Sequence, residues 1–293
     1  MNYITLSNGL RLPQVGLGTY PLKGEDLITI LSHGLSAGYS LIDTAIGYGN
    51  EATIGAHLSQ TDDTTLVSTK IDGLTLRRML FPKPIRRLAR NPQLSFLISD
   101  RIVDDAIESS YSRLHKIDIM LLHAPYHGCV KVYNAIRSRY VDGRLKAYGV
   151  SNFDISELKQ LHDITGEWPM INQTEISPVN TQKELISFCR ANGIAVEAYS
   201  PFGRGHLVKD FLSNESLRHI ASSHGKSVGQ VILRWIVQQG MIAIVRSSNP
   251  NRIIENTDVF DFELTAEEMS LIDDMNTNQT FGVNQVGKKT VRL

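Results

Sequence analysis

Four side chains that can donate or accept a proton, or stabilise a charge, each follow an apolar, strand-like run of the sequence. They are Asp43, Tyr48, Lys70 and His123. Tyrosine has an ordinary pKa of about 10, so a tyrosine that donates a proton near neutral pH needs a nearby cation. A lysine can be that cation and a carboxylate can hold the lysine, while a histidine can hydrogen-bond the oxygen that gains charge. The set therefore predicts a site where Tyr48 donates a proton to an oxygen that gains charge.

Each of these residue types also has an ordinary structural explanation. A tyrosine after a strand can lie on the surface, a strand-end lysine can be solvated, an aspartate can cap the next helix, and a histidine can belong to the core. The functional interpretation therefore depends on the order and spacing of all four residues together.

The segments 41–51, 66–70 and 117–123, which contain these residues, resemble the aldo-keto reductases, in which such a set forms the catalytic tetrad. The resemblance covers nearly the whole chain. It implies an NADPH-dependent reductase that transfers a hydride to an aldehyde or ketone. In this scheme Tyr48 is the general acid, Lys70 and Asp43 tune its pKa, and His123 orients the carbonyl as a neutral imidazole.

The resemblance also implies which residues bind the cofactor. Ser151 and Asn152 end the fifth predicted strand and Gln173 ends the sixth, where their counterparts hold the nicotinamide carboxamide. Tyr199 ends the seventh strand, and its counterpart stacks on the nicotinamide ring. The implied cofactor-binding set is Thr19, Tyr20, Asp43, Ser151, Asn152, Gln173, Tyr199, Ser200, Pro201, Phe202, Gly203, Arg246, Ser247, Ser248, Asn249, Arg252, Glu255 and Asn256. The implied substrate-binding set is Tyr20, Tyr48, His123 and Ala124.

The segment 244–256 resembles the phosphate-and-adenine segment of the same family. Arg246 stands where the family usually has lysine, and Arg252 falls in register with a family arginine. A 2′-phosphate carries nearly two negative charges, and an arginine fork binds it through two hydrogen bonds. The segment therefore predicts NADP(H) rather than NAD(H), although surface arginines at a helix start are the structural alternative.

Short apolar runs alternate with amphipathic helical stretches along the chain, which predicts a parallel sheet. Eight such runs predict an α/β fold of the (β/α)8 TIM-barrel type. An open sheet with a dinucleotide site would need GxGxxG after its first strand, and residues 16–20 lack the third glycine. Asn8-Gly9 predicts a short N-terminal β-hairpin. The predicted strands are 14–19, 39–43, 65–70, 117–123, 145–151, 170–177, 194–200 and 241–247, and helices are predicted at 26–38, 99–114 and 182–193.

Composition excludes several classes of partner. The 293 residues carry 30 Lys+Arg against 30 Asp+Glu, so no net field favours nucleic acid or a membrane surface. Cys129 and Cys189 match neither a metal spacing nor a disulfide framework, and no His/Cys/Asp/Glu cluster has metal-ligand spacing. We expect one domain over residues 1–293, in a cytoplasmic protein with no metal and a small carbonyl substrate. Monomer is the state that the resemblance implies.

Several departures from the family pattern lie on the substrate side. Ala124 follows His123 where the family has tryptophan, and Ile71-Asp72-Gly73 follow Lys70 where another tryptophan is common. Residues 176–178 replace a further family segment, YHP. Two aromatic walls are therefore missing, and Tyr20, Phe81 or Tyr126 are the candidates to replace them.

Residues 73–99 lengthen the loop after the third barrel strand and contain no Asp or Glu. Leucine spacing predicts amphipathic turns interrupted by Pro82 and Pro84. Three interpretations are open: a lid with a solvated basic face, recognition of an anionic substrate, or docking of an acidic protein such as a carrier. The basic side chains of this insertion are Arg77, Arg78, Lys83, Arg86, Arg87 and Arg90.

Two other functions compete with carbonyl reduction. The same scaffold can reduce a C=N or conjugated C=C bond, although replacements of the histidine accompany C=C reduction in the family and His123 is intact. The chain could also be a non-catalytic, NADP(H)-sensing regulatory subunit. Steady oxidation of NADPH by carbonyl compounds would separate an enzyme from such a sensor.

Overall fold

The computed structural model describes residues 2–61, 64–81, 85–281, 291 and 293. Eight parallel strands close a barrel in the order β10-β3-β4-β5-β6-β7-β8-β9, and β1 and β2 form a separate antiparallel pair. The strands are β1 Tyr3–Thr5, β2 Arg11–Pro13, β3 Val15–Gly18, β4 Leu41–Asp43, β5 Leu66–Ile71, β6 Ile119–Leu122, β7 Ala147–Ser151, β8 Ile171–Glu175, β9 Ala195–Tyr199 and β10 Ile242–Val245.

Helices surround the barrel and connect consecutive strands. The α-helices are α1 Gly24–Ser36, α2 Glu51–Leu58, α3 Gly73–Leu80, α4 Asp100–Leu114, α5 Val130–Val141, α6 Ile155–Thr165, α7 Lys183–Ala191, α8 Leu207–Ser213, α9 Glu215–Ser223, α10 Val228–Gln238, α11 Pro250–Glu255 and α12 Ala266–Asp273. Short 3₁₀ helices span Ile46–Tyr48, Ile85–Arg90 and Pro92–Leu97. The TIM-barrel prediction is confirmed.

All eight predicted barrel strands form, because each is an apolar run that the surrounding helices bury on its outer face. The four residues of β6, and likewise those of β10, are buried. Closure occurs where β10 pairs with β3 through Ala243 and Val15. All eight carboxyl ends consequently meet on one rim, where a TIM barrel builds its functional site.

The N-terminal hairpin is also confirmed. Thr5 pairs with Arg11, and the Leu6 N–H donates to the Leu10 carbonyl at 2.8 Å. Gly9 lies inside this turn at φ +88°, a backbone conformation that glycine adopts without steric cost.

The predicted helix boundaries are close to the observed ones. The helix predicted at 26–38 is α1, which ends at Ser36 because Gly38 turns into the left-handed region at φ +88°. The Ser99 side chain caps α4 by accepting the Ile102 N–H at 3.4 Å. Gly193, at φ +68°, lies two residues past α7 as a helix stop.

The insertion after the third barrel strand, β5, folds into α3 and two 3₁₀ helices. Arg77 is buried: its Nε donates to the Ala89 carbonyl at 2.8 Å and its Nη1 to Ser95 Oγ at 2.6 Å. Its guanidinium therefore ties the insertion together, and Arg77 is not part of the basic surface that the insertion exposes. Lys83 and the predicted interruptions at Pro82 and Pro84 lie outside the described residues.

Two further sequence features can be placed. Cys129 and Cys189 are both buried and unpaired, as free thiols. Across the part of the chain that the structure describes, every helix is too short or too polar to cross a membrane.

Candidate active site

A cavity of about 700 Å³ opens at the carboxyl ends of the barrel strands. It extends from the ends of β3 and β4 to α11, so it brings together residues that are about 230 positions apart in the sequence. Most of the sequence-predicted site residues line it: Thr19, Tyr20, Asp43, Tyr48, His123, Asn152, Gln173, Tyr199, Ser200, Pro201, Phe202, Gly203, Arg246, Ser247, Ser248, Arg252, Glu255 and Asn256.

Lys70 and Asp43 form a buried ion pair at the floor of this cavity. Lys70 Nζ lies 2.7 Å from both carboxylate oxygens of Asp43 and donates to the Thr44 carbonyl at 2.9 Å. Burial lowers the pKa of Lys70, but the charge of Asp43, the hydrogen bond to it and the nearby Tyr48 and Glu197 together outweigh burial and raise the pKa above its ordinary value. Lys70 is therefore a fixed cation.

Tyr48 ends the short 3₁₀ helix Ile46–Tyr48, and Gly49 at φ +67° turns the chain sharply behind it. Lys70 Nζ lies 5.5 Å from the centroid of the Tyr48 ring. Burial raises the pKa of Tyr48, and the charges of Lys70 and Arg204 offset only part of that rise. Tyr48 therefore keeps its proton at neutral pH, as a proton donor must.

His123 follows β6 directly and faces Tyr48, with ring centroids 5.9 Å apart in an edge-on arrangement. Its N–H donates to the Ile71 carbonyl at 2.9 Å, and its own carbonyl accepts from Asn152 Nδ2 at 3.0 Å. The backbone is thus held on both sides. On the ring, Nδ1 lies 3.8 Å from Asp72 Oδ2.

The amide side chains predicted to hold a nicotinamide make hydrogen bonds within the protein. Tyr199 donates its hydroxyl proton to Asn152 Oδ1 at 2.7 Å. Gln173 Nε2 donates to Asp43 Oδ1 at 2.9 Å and to Glu197 Oε2 at 2.7 Å. Gln173 lies in the middle of β8, not at its end as the sequence suggested, so its side chain reaches the carboxylates inside the barrel.

Glu197 is a fully buried carboxyl group that sequence reasoning missed. Burial, with the nearby charge of Asp43, raises its pKa to about 7, while Gln173 and Lys70 oppose the rise. Its Oε1 has no hydrogen-bond partner among the described residues. A second buried carboxyl therefore shares the Lys70–Asp43 network and titrates near neutrality.

Glu197→Gln is expected to change how stability depends on pH. The pKa of Glu197 is about 7 in the folded protein, above its ordinary value of 4.5. Its protonated form therefore contributes its full stabilisation below about pH 4.5, and this stabilisation is lost as the pH rises to about 7. At 1.36 kcal/mol per pH unit, the wild-type protein loses at most about 3 kcal/mol of its free energy of unfolding over this range. The Glu197→Gln variant, whose side chain is a neutral amide, should not show this loss. Urea unfolding from pH 4.5 to 7.5 measures it, with exposed Glu215→Gln as control. Parallel curves for Glu197→Gln and wild type would contradict the assignment.

The far end of the cavity carries the residues predicted to bind a phosphate and an adenine. Arg246 and Arg252 are exposed, and neither guanidinium has an acidic partner within 4 Å among the described residues. The Glu255 carboxylate accepts the hydroxyl proton of Ser227. Two unpaired guanidinium groups beside serine hydroxyls fit a 2′-phosphate, so the residues present suit NADP(H).

Four predicted residues do not line the cavity. Lys70 lies beneath its floor, Ser151 is buried beside Asn152, and Ala124 is half-buried behind His123. Asn249 caps α11, where its Oδ1 accepts the Asn251 N–H at 2.9 Å. Lys70 and Ser151 still contact lining residues, whereas the capping role of Asn249 is structural.

Several cavity residues were not singled out in the sequence. Arg204 lies within the GRG triplet that follows the seventh barrel strand, with its Cζ 5.9 Å from the Tyr199 ring centroid, and the glycines beside it were the available signal. Ser227 and Gly229 belong to the start of α10, far from any predicted motif. Of the aromatic candidates for the missing walls, Tyr20 lines the cavity and lies 4.9 Å from the Tyr48 ring, whereas Phe81 and Tyr126 are not among its lining residues.

Comparison with known proteins agrees with this geometry. The model of the "Aldo/keto reductase family" matches residues 14–277. The uncharacterized oxidoreductase YtbE of Bacillus subtilis (strain 168) is 39% identical over 95% of this chain and 94% of its own. The glyoxal reductase of the same organism is 35% identical over 96% and 95%. The structure of a Bombyx mori aldo-keto reductase in complex with NADP is 28% identical, with a TM-score of 0.82 over 97% and 95% of the two chains.

Proposed function

The chain belongs to the aldo/keto reductase family and is an NADP(H)-dependent oxidoreductase that acts on carbonyl groups, and on that premise we propose a role for each residue at the cavity floor. When bound, NADPH supplies the hydride that the carbonyl carbon accepts. Tyr48 donates its hydroxyl proton to the carbonyl oxygen, so that an alcohol forms. Lys70 stabilises the phenolate that Tyr48 becomes, and Asp43 holds Lys70 in place.

The observation that carries this proposal is the buried Lys70–Asp43 pair beneath Tyr48, with His123 across the cavity. A fixed cation there favours the negative charge that Tyr48 gains as its proton leaves. His123 is close enough to the same space to hydrogen-bond a carbonyl oxygen. The proton donor and the group that orients the acceptor therefore face one another.

Oxidation of NADPH by a panel of substrates tests the proposal. We expect turnover with aldehydes and ketones, and little with imines or conjugated alkenes, because Tyr48 and His123 are suited to an oxygen that gains charge. Turnover confined to C=N or C=C compounds would favour the imine or alkene reductase. Binding of NADPH without turnover on any member would favour a regulatory, cofactor-sensing subunit.

The basic insertion, residues 73–99, extends this proposal to the substrate class. Arg78, Arg86, Arg87 and Arg90 are exposed, and none has an acidic partner among the described residues. No residue of the insertion lines the described cavity. Exposed apolar side chains lie among the arginines: Met79, Ile85, Leu88, Phe96 and Leu97, with Phe96 69% exposed.

We infer that this surface binds the anionic group of a substrate that extends beyond the cavity, or of an acidic carrier that delivers it. A small anion held inside the cavity would not reach the arginines that lie outside its lining. Unpaired guanidinium groups beside exposed apolar side chains suit a partner that presents both carboxylates and apolar groups. The enzyme would then serve a specialised biosynthetic step, as a monomer in the cytoplasm.

The triple variant Arg86→Gln/Arg87→Gln/Arg90→Gln is expected to raise KM for a long-chain aldehyde that ends in a carboxylate. Each exposed ion pair contributes about 0.2–1 kcal/mol, so the loss of three should raise KM roughly 3- to 150-fold. KM for the matched neutral long-chain aldehyde, and for a short aldehyde with or without a carboxylate, should change little. Steady-state assays at two salt concentrations measure this, because salt screens exposed charges.

A matched control removes three exposed cations elsewhere, Lys159, Arg190 and Arg218, which changes the net charge equally. If the control raises KM as much as the triple variant, net charge and not this surface is responsible. An unchanged KM in both variants would leave the insertion as a structural lid.

A further inference from the structure

We propose that the start of the insertion positions Tyr48: the side chains of Asp72 and Thr75 form a wall against which Gly47, the residue before Tyr48, packs. The inference rests on the proposed function, in which Tyr48 donates a proton to the carbonyl oxygen. It gives the insertion an effect on the cavity floor, although none of its described residues lines the cavity. This role does not depend on whether the basic surface of the insertion binds an anion.

Tyr48 lies at the apex of the turn that connects β4 to α2. The base of this turn is closed, because Thr44 Oγ1 donates to Asn50 Oδ1 at 2.7 Å. At the apex the Tyr48 N–H donates to the Ala45 carbonyl at 3.0 Å, which closes the short 3₁₀ helix. Since this single helical turn moves as a unit on a fixed base, a displacement of Gly47 displaces Tyr48 as well.

Gly47 approaches the insertion more closely than any other residue type could without a shift. A methyl group at this position would lie 3.2 Å from Asp72 Oδ2 and 3.3 Å from Thr75 Oγ1, whereas ordinary van der Waals contact begins at about 3.4 Å. The backbone of Gly47 is outside the left-handed region, so its conformation does not require glycine. The close approach to the wall is therefore the reason that a glycine fits here.

The two atoms that face Gly47 are bonded to each other. The Thr75 hydroxyl donates to Asp72 Oδ2 at 2.9 Å, and Asp72 Oδ1 accepts the Thr75 N–H at 2.7 Å as the N-cap of α3. Behind them, a methyl group on Gly73 would lie only 3.0 Å from the ring of Tyr126. The wall is thus braced from the far side and has little room to retreat from Gly47.

The rest of the insertion holds α3 in this place. Arg77 of α3 donates to the Ala89 carbonyl and to Ser95 Oγ, which joins the helix to both 3₁₀ helices. Lys131 Nζ of α5 donates to the Ile98 carbonyl at 2.9 Å, which ties the end of the insertion to the barrel's outer layer. The position of the wall therefore depends on the folded insertion as a whole.

The other neighbours of Tyr48 contact its ring and not the backbone before it. The rings of Tyr20 and His123 lie 4.9 and 5.9 Å from the Tyr48 ring. Apart from its chain neighbours, only the wall has atoms within 4 Å of a methyl group at Gly47, among the described residues. The wall is consequently the element that limits where the Tyr48 backbone can lie.

Gly47→Ala tests this, because alanine adds only the methyl group that meets the wall. We expect the single-turnover rate of carbonyl reduction to fall roughly 3- to 10-fold, since the neighbours must shift by a few tenths of an ångström and a misplacement of about 1 Å can cost about 100-fold. Affinity for NADPH, measured by fluorescence titration, should change little, because Gly47 and the wall are outside the cavity lining. The bulkier Gly47→Val should cost more, up to about 100-fold.

A compensating substitution separates positioning from a general loss of stability. Thr75→Ala removes one of the two atoms that the methyl group meets, and it frees Asp72 Oδ2 from its hydroxyl partner. The double variant should therefore react at a rate within about twofold of Thr75→Ala alone. Costs of Gly47→Ala that are equal in both backgrounds would overturn the proposal. Thermal melting of each variant checks the fold.

A second measurement does not depend on turnover. In protein labelled with ¹³C on the tyrosine rings, the NMR signal of Tyr48, assigned by its loss in Tyr48→Phe, should shift in Gly47→Ala and return in the double variant to its position in Thr75→Ala. An unshifted signal in Gly47→Ala would overturn the positioning role even if carbonyl reduction is observed. If wild type reduces no carbonyl, the proposed function fails, while the NMR comparison still decides the contact. Should Gly47→Ala not fold, Thr75→Val, which enlarges the wall from the other side, should shift the same signal.

Discussion

Tyr48→Phe is expected to reduce the rate constant of carbonyl reduction by about 10²–10⁴-fold, the usual contribution of a positioned proton donor. The substitution removes one oxygen atom and keeps the ring that packs 4.9 Å from Tyr20. Burial holds the pKa of Tyr48 above its ordinary value, so the wild-type residue carries the proton that the variant lacks. Affinity for NADPH should be almost unchanged.

Single-turnover measurement of NADPH oxidation isolates the chemical step from product release. Tyr133→Phe is a matched control, because Tyr133 is a buried tyrosine of α5 outside the cavity. Its rate should stay close to that of wild type. A Tyr48→Phe variant that kept more than roughly a tenth of the wild-type rate would show that Tyr48 is not the acid.

Arg252→Ala or Arg246→Ala is expected to reduce the preference for NADPH over NADH. Both guanidinium groups are exposed beside the serines of the segment 244–256 and lack acidic partners among the described residues. Each charge-assisted contact to a phosphate contributes about 1.5–3 kcal/mol, or roughly 10- to 150-fold in affinity. The double variant should lose most of the preference, with NADH affinity changed little.

Fluorescence titration of both cofactors against wild type, the two single variants and the double variant measures this preference. Arg218→Ala, an exposed arginine of α9 outside the cavity, controls for the loss of one positive charge. Wild type that bound NADH and NADPH equally well would reject the role of this segment in binding the 2′-phosphate.

The barrel, and the rim on which its functional residues meet, could be predicted from the amino-acid sequence alone. Strands buried on both faces appear as continuous apolar runs, and parallel strands separated by helices place all their carboxyl ends together. Asp43, Tyr48 and His123 could therefore be assigned to one site from their positions after such runs, although they are up to 80 positions apart. The turn at Gly9 and the helix stop at Gly193 were predictable too, because both depend on local backbone conformation.

Which side chains contact one another could be seen only in the folded protein. Arg77 looked like one more basic residue of the insertion, but folding buries it against Ala89 and Ser95. Glu197 was an ordinary strand residue in the sequence, and the pairing of β8 with β9 placed it beside Gln173. Asp72 Oδ2 likewise lies 3.8 Å from Nδ1 of His123, a residue 51 positions away. Burial and charge act through space, and for residues distant in sequence both depend on how the whole chain closes.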